Sequence, residues 1–154
     1  MEFVKRTPFA VVVDYAHTPD SLNAVYQNLK RNTRGDMICV LGSAGGGRDK
    51  WKRPEMGAIA ETYCKSIYLT DEDPFDEDPK KILEDIKGGM SGDGQKRVIT
   101  ILDRKQAIKG ALGGAKTGDT VVITGKGSEV YIRVAKGKRI PWSDVGVVKE
   151  ILGK

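Results

Sequence analysis

Five short apolar runs, rich in β-branched residues, alternate along this chain with segments whose apolar residues recur at helical spacing. A short, continuous apolar run is typical of a strand that is buried on both faces of a sheet. Strands that alternate with helices pair in parallel through right-handed crossovers, which places helices on both faces of the sheet. The predicted strands are residues 9–13, 37–41, 66–70, 98–102 and 120–124.

The segments between these runs predict helices over residues 21–29, 54–63 and 79–86. Asp103 is placed to cap a helix that ends at residue 112, and Ser143 to cap a closing helix that ends at residue 152. Residues 130–134 and 138–140 predict a hairpin, and residues 88–94 a surface loop. The expected fold class is α/β: one three-layer Rossmann-like domain over residues 1–154, with a mostly parallel sheet and a C-terminal hairpin.

The formal net charge of +5 raises the question of a nucleic-acid partner. The basic residues are spread along the chain and residues 71–78 are acidic, so attraction of small anionic substrates such as nucleotides is favoured over nucleic acid. No apolar run approaches the roughly 18 residues that a membrane helix requires, and the first residues lack the apolar core of a signal peptide. We expect a cytoplasmic protein with neither a nucleic-acid nor a membrane partner.

The two cysteines bear on the same question of compartment. Cys39 lies in a predicted strand and Cys64 in a predicted helix. Pairing is conceivable in principle, but two buried, reduced thiols are the favoured interpretation for a cytoplasmic protein.

Polar or glycine-rich clusters follow four of the predicted strands, at the sheet edge where ligands bind in open α/β folds. The first cluster, residues 14–18, contains the only histidine of the chain, His17. Asp14 and Thr18 could instead simply cap the next helix, with His17 on the surface. The fourth cluster, residues 125–129, is either part of a site or a turn into the hairpin.

The second cluster, residues 42–54, combines glycines with several basic side chains. Glycines after a strand let backbone amides approach an anion, and the next helix adds its positive N-terminal dipole. The pattern is neither the dinucleotide G-x-G-x-x-G nor the Walker G-x-x-x-x-G-K-[ST] motif, and anion recognition is favoured over a plain flexible loop. The third cluster, residues 71–79, is acidic. It is either a solubilising loop that leads into a helix N-terminus or an attractor of an ammonium group or metal.

Taken together, these motifs resemble the C-terminal domain of the Mur ligases of peptidoglycan synthesis, and most closely the muramyl-tripeptide synthetase branch. The resemblance runs from about residue 9 to residue 152. The motifs that carry it are Asp14-Tyr15-Ala16-His17-Thr18-Pro19, Gly47-Arg48-Asp49-Lys50, Lys52-Arg53-Pro54, Thr70-Asp71-Glu72-Asp73-Pro74 and Gly125-Lys126-Gly127. The Thr18-Pro19 form favours this branch over cyanophycin synthetase-like enzymes.

The resemblance implies an ATP-dependent amide ligase of three domains, of which this chain would be the excised third. The first domain would hold the UDP end of UDP-MurNAc-L-Ala-D-Glu, and the central domain the Walker loop. The third would close over the site and bring the amino acid. ATP and Mg²⁺ belong to the full-length enzyme, and this domain alone would hold neither. Without a Walker loop, the isolated polypeptide is expected not to turn over.

The resemblance also implies residue roles, although it assigns no catalytic residue and no metal ligand. Arg48 would hold the carboxylate of the amino acid, which suits its guanidinium fork. Glu129 would bind the ammonium group at the far end of the side chain. The remaining amino-acid-side residues are Asp73, Pro74, Phe75, Asp76 and Gly125. Asp14, Tyr15 and His17 would face the nucleotide, and Lys50, Lys52 and Arg53 would either assist with phosphate charge or hold the loop.

The third cluster departs from the family pattern. Ligases that add meso-diaminopimelate carry Asp-Asn-Pro-Arg where this chain has Glu72-Asp73-Pro74-Phe75. Phe75 cannot bind a carboxylate and Asp73 would repel one, so an acidic pocket without arginine predicts L-lysine or L-ornithine as the added amino acid. Ser128 also replaces the histidine of the family's Gly-His-Glu.

A stand-alone Rossmann-like module that binds a nucleotide or regulates a partner is the alternative, because the chain begins with Met1 and lacks the ATP loop. A dehydrogenase is less favoured, since the dinucleotide fingerprint is missing.

Overall fold

The computed structural model describes residues 1–47 and 49–154, and it forms a three-layer α/β domain. The strands are β1 (Glu2–Lys5), β2 (Ala10–Asp14), β3 (Met37–Leu41), β4 (Ser66–Leu69), β5 (Val98–Thr100), β6 (Thr120–Thr124), β7 (Tyr131–Arg133) and β8 (Arg139–Pro141). The α-helices are α1 (Pro19–Asn32), α2 (Lys52–Tyr63), α3 (Pro79–Lys87), α4 (Gly92–Lys96), α5 (Arg104–Gly114) and α6 (Asp144–Ile151).

The main sheet has the strand order β1-β2-β6-β3-β4-β5. Its five strands β2, β6, β3, β4 and β5 are parallel to one another. The predicted fold class is therefore confirmed, including the antiparallel hairpin of β7 and β8, which a 3₁₀ turn at Ala135–Gly137 connects. The antiparallel edge strand β1 was not predicted. Its sequence is half polar and lies on the rim of the sheet, so it shows no buried apolar run.

The core explains why the central strands are continuously apolar. Every residue of β3 and β6 is buried, because helices cover both faces of the sheet. Alternate side chains such as Cys39 and Val122 pack with α1, α2 and α3, whereas Val40 and Ile123 pack with α5 and α6. Each fully buried aliphatic side chain contributes roughly 1.5–3 kcal/mol of transfer free energy.

The predicted helix caps at Asp103 and Ser143 are confirmed, because each side chain accepts a backbone N–H of its helix at 3.0 Å. Thr18 caps α1 in a reciprocal box with Ser21. Asp14 does not cap α1, since its Oδ1 accepts the N–H of Ala16 at 2.8 Å. The predicted loop over residues 88–94 was partly wrong, because its end forms α4 behind a serine N-cap.

The expectation of two reduced thiols was wrong, because the structure joins Cys39 and Cys64 in a disulfide. Cys39 points from β3 into the layer that contains α2, and Cys64 is the C-cap of that helix. Their Cα atoms are 6.0 Å apart, within the usual disulfide range. The end of α2 therefore covers the middle of the sheet, a juxtaposition that local periodicity does not reveal.

We expect reduction of this bond to lower the free energy of unfolding. The bond closes a loop with a sequence separation of 25, for which the chain-entropy relation gives about 3.5 kcal/mol. Urea unfolding with and without reductant measures the change, and a Cys64→Ser variant, which has no bond to reduce, should not respond. Two titratable thiols in the unreduced, unfolded chain would contradict the prediction.

The sheet topology predicts a candidate ligand crevice at β6. The chain leaves β2 and β3 towards α1 and α2 on one face, whereas it leaves β6, which lies between them, towards α6 on the other face. Divergence of neighbouring connections opens a crevice outside the carboxyl ends of the strands. No described helix has the length and apolar character needed to cross a bilayer.

Candidate functional site

Four loops meet at this crevice: the first loop (residues 15–18), the glycine-rich loop (described over 42–47 and 49–51), the acidic loop (70–78) and the fourth loop (125–130). Backbone hydrogen bonds connect them, from Gly125 N to Asp14 O at 3.2 Å and from Gly45 N to Asp73 O at 2.7 Å. A Cβ on Gly42 would lie 2.2 Å from Thr70 O, so this close approach requires glycine. The predicted convergence of the four clusters is thus observed.

A buried lysine neutralises the acidic residues at the centre of these loops. Lys126 is fully buried, and its Nζ donates to Asp73 Oδ1 at 2.8 Å and to Glu129 Oε2 at 2.6 Å. Arg133 on β7 adds a second cation, with its NH1 3.3 Å from Asp73 Oδ2 and 3.5 Å from Glu129 Oε1. Attraction to both carboxylates raises the pKa of the Arg133 guanidinium above its usual value.

The premise of an acidic pocket without arginine was therefore wrong. Arg133 contacts Asp73, which was expected to repel a carboxylate, and Glu129, which was expected to bind an ammonium group. Two acids and two bases form this cluster, so its side chains are balanced in formal charge. A balanced cluster does not by itself select a ligand that ends in an ammonium group.

Phe75 lies where the acidic loop meets the hairpin. Its backbone is in the left-handed region with φ +53, and its N–H donates to Arg133 O at 3.1 Å. The next residue, Asp76, accepts the N–H of Lys136 at 2.8 Å, so both residues attach the acidic loop to the hairpin. A cleft of about 410 Å³ lies between the acidic loop and the hairpin. Its lining includes Pro74, Phe75, Asp76, Val134 and Ala135.

Arg53 holds the glycine-rich and acidic loops together. Its fully buried guanidinium donates to Glu77 Oε2 at 2.5 Å, to Asp85 Oδ2 at 3.0 Å and to Ala44 O at 3.1 Å. Glu77 also accepts the N–H of Gly47 at 3.1 Å. Of the two roles left open for Arg53, the geometry supports the one of holding the loop.

Lys52 and Lys50, for which the same two roles were open, differ in burial. Lys52 is buried and its Nζ donates to His17 O at 3.2 Å, which connects α2 to the first loop. Lys50 is exposed. Arg48, the residue expected to hold the amino-acid carboxylate, lies outside the described residues.

The first loop presents two aromatic rings at the edge of the crevice. Tyr15 is 50% exposed, and its ring centroid lies 4.6 Å from that of His17. The His17 Nδ1 lies 3.0 Å from Tyr15 O. Exposed rings at a strand end can stack on a planar base. Within residues 1–47 and 49–154, no group of three His, Cys, Asp or Glu side chains is arranged to hold a metal ion.

Glu72 is a buried acid that sequence reasoning left without a role. Burial raises the pKa of its carboxyl, an effect that Arg104 partly opposes. Its Oε2 has no hydrogen-bond partner in the described part of the chain, and a Cβ on Gly125 would lie 2.3 Å from that atom. Gly125 has φ +105, a backbone conformation that favours glycine there.

Asp71 makes stability depend on pH. Burial raises the pKa of its carboxyl to about 6 from 3.8, with Arg104 opposing and Asp103 reinforcing the shift. A carboxyl whose pKa is raised on folding stabilises the fold below its unfolded pKa and loses that contribution as pH rises through the folded pKa. We therefore expect Asp71→Asn to raise Tm relative to the unmodified chain at pH 8 and not at pH 4. The exposed Asp93→Asn is the matched control, and an equal Tm gain at both pH values would contradict the prediction.

The fold and the loops together define a Rossmann-like domain with a candidate ligand site at the carboxyl ends of a parallel sheet. Residues 1–127 match the family described as Mur ligase, glutamate ligase domain. The chain belongs to the Mur ligase C-terminal domain family, as the motifs predicted.

The relatives and a solved structure agree with this assignment. A UDP-N-acetylmuramoyl-L-alanyl-D-glutamate--2,6-diaminopimelate ligase of Aquifex aeolicus is 49% identical over 152 residues, which are 99% of this chain and 31% of the relative. The ligase of the same name from Cytophaga hutchinsonii is 38% identical over 149 residues, 97% of this chain and 30% of the relative. A solved ligase of this name superposes with a TM-score of 0.91 at 38% identity, over 99% of this chain and 31% of that chain.

The chain thus spans about a third of the length of these relatives. They do not support the predicted preference for lysine, because each is named as a ligase for 2,6-diaminopimelate.

Proposed function

We propose that this domain, over residues 1–154, is the third domain of an ATP-dependent ligase that adds a diamino acid to UDP-MurNAc-L-Ala-D-Glu. The observation that carries the proposal is the convergence of the four loops at the crevice in a chain that is 49% identical to a ligase of that reaction. In the reaction, the D-glutamyl carboxylate would take the terminal phosphoryl group of ATP to form an acyl phosphate, and ADP would leave. The amine of the diamino acid then attacks the acyl carbon, so that an amide forms and phosphate leaves. The N-terminal and central domains of the parent ligase would be the partners of this chain.

The domain would contribute binding and orientation rather than a reacting group. Arg48 would hold the carboxylate next to the attacking amine, a contact that suits its planar guanidinium. The cluster around Glu129 would receive the other end of the amino acid. Tyr15 and His17 would face the nucleotide, because their exposed rings lie at the rim of the crevice. Lys50, an exposed cation of the glycine-rich loop, would lie towards the phosphates.

We propose 2,6-diaminopimelate, rather than lysine, as the diamino acid. Two observations support it: the names of the relatives, and the presence of Arg133 beside Glu129. Asp73 and Glu129 already share Lys126, so the pocket does not present an unbalanced negative charge.

The test is the ligation rate of the parent ligase, purified as the polypeptide that contains this domain, with diaminopimelate, lysine and ornithine. The expected result is ATP-dependent amide formation with a kcat/KM for diaminopimelate at least about tenfold above those for the other two. Ligation with lysine preferred would overturn the choice of amino acid and leave the ligase proposal intact. No ligation with any of the three would overturn the proposed function, and ATP binding by the isolated chain would then favour a stand-alone nucleotide-binding module.

A further inference from the structure

The proposed substrate needs a cation at each end. Diaminopimelate carries an amino group and a carboxylate at both of its ends, whereas lysine lacks the second carboxylate. A carboxylate that leaves water is stabilised when a guanidinium donates paired hydrogen bonds to it. If Arg48 holds the end that reacts, another cation must receive the far carboxylate.

Lys126 cannot be that cation, because it is fully buried and both of its acidic partners lie within 2.8 Å of its Nζ. Arg133 is differently placed. Its side chain is 40% exposed, and its two contacts to carboxylates, at 3.3 and 3.5 Å, are longer than the 2.7–2.9 Å usual for charged hydrogen bonds. Its Nε and NH2 groups donate no hydrogen bond to residues 1–47 or 49–154. The guanidinium therefore has donors left for a ligand.

The main chain of Arg133 is fixed independently of its side chain. Its N–H donates to Asp73 Oδ1 at 2.7 Å, and its carbonyl accepts the N–H of Phe75 at 3.1 Å. These bonds attach β7 to the acidic loop and place the guanidinium beside Glu129. An adjacent cation and carboxylate are complementary to the far end of diaminopimelate, where a carboxylate and an ammonium group share one carbon.

We propose that Arg133 binds the second carboxylate of diaminopimelate and thereby determines selection against lysine, with Glu129 receiving the neighbouring ammonium group. The inference rests on the proposed function and adds to it the residue that sets specificity. Phe75, in the acidic loop, donates its backbone N–H to the Arg133 carbonyl and so helps to hold the main chain of residue 133 in place.

The experiment compares the unmodified parent ligase with its Arg133→Gln variant, each assayed with diaminopimelate and with lysine. Lysine serves as diaminopimelate without the second carboxylate, and Arg133→Gln removes the charge while the backbone bonds of residue 133 remain. We expect Arg133→Gln to raise the KM for diaminopimelate about 10- to 100-fold, as loss of a charged hydrogen bond does, without changing the KM for ATP, UDP-MurNAc-L-Ala-D-Glu or lysine. Arg133→Lys should restore part of the loss. Arg139→Gln, on the paired strand β8, is the matched control and should leave all of these values unchanged.

The outcomes separate the two proposals. If the unmodified ligase uses diaminopimelate but Arg133→Gln keeps the same ratio of kcat/KM values for diaminopimelate and lysine, the role of Arg133 is overturned and the proposed function stands. An equal rise in KM for both amino acids indicates a structural effect and also overturns the role. If the unmodified ligase joins neither amino acid, the proposed function itself fails.

Discussion

Replacing Asp144 by alanine is expected to lower the free energy of unfolding by about 3–5 kcal/mol, the usual result of removing one partner from a buried ion pair. Arg104 and Asp144 are both buried, and the guanidinium donates to the carboxylate from Nε and from NH2 at 2.8 Å each. Burial alone would lower the pKa of the Arg104 guanidinium, but attraction to Asp144 raises it above its usual value. The alanine variant leaves this cation buried without its counter-charge.

We expect the Asp144 replacement to disturb the candidate functional site as well. Arg104 donates to the carbonyl of Asp71 at 3.0 Å and to that of Thr124 at 2.9 Å, so one side chain connects α5 to the start of the acidic loop and to the end of β6. Trp142 Nε1 donates to Asp144 at 2.8 Å and joins the start of α6 to the same group.

Urea unfolding at pH 7 measures this effect. Glu150→Ala is the matched control, because it removes from the same helix an exposed ion pair with Lys105, and such pairs contribute little. A double variant with Arg104→Met and Asp144→Leu should lose less stability than Asp144→Ala alone, since it leaves no unpaired charge. A change of under about 1 kcal/mol in the single variant would refute the prediction.

Replacing Lys126 by methionine is expected to lower the free energy of unfolding by a similar amount, about 3–5 kcal/mol. The ammonium group is fully buried and holds Asp73 and Glu129 within 2.8 Å, so the variant leaves two carboxylates facing each other with only Arg133 between them. Methionine fills a similar volume, so the loss reflects charge rather than a cavity.

The measurement is again urea unfolding, with exposed Lys138→Met in the hairpin as the control. Adding Asp73→Asn to the methionine variant should recover part of the stability, because it removes one of the unpaired charges. Ligation by the parent enzyme should fall in parallel, since Glu129 loses its position. A methionine variant as stable as the Lys138→Met control would show that Lys126 does not hold the loops together.

The regular elements could be predicted from local sequence because burial on both faces leaves a local signature. The strand predicted at residues 37–41 coincides with β3, and that at 120–124 with β6, since every side chain in both strands is buried. The N-caps at Asp103 and Ser143 depend on contacts within three residues and could be predicted for the same reason.

The charges of the site could not be assigned in this way. Lys126 meets Asp73 across 53 residues of sequence, and Arg133 meets it across 60. In the local sequence the acidic loop is an isolated group of acids, which predicts a substrate that ends in an ammonium group. Only the packing of the fourth loop and β7 against the acidic loop supplies the compensating cations. The disulfide between Cys39 and Cys64 could not be predicted for the same reason, because tertiary packing alone brings α2 over β3.

The bonds made by Arg53 have a consequence for how such a ligase could change its amino acid. Glu77, Asp85 and Ala44 all meet at this one guanidinium, so the glycine-rich and acidic loops form one rigid frame rather than two independent segments. A new preference then requires no rebuilt loop. Under the proposed role of Arg133, a replacement at position 133 alone would change which amino acid is preferred, and the cross-linking amino acid of the cell wall would be a trait that a point mutation alters while the scaffold stays the same.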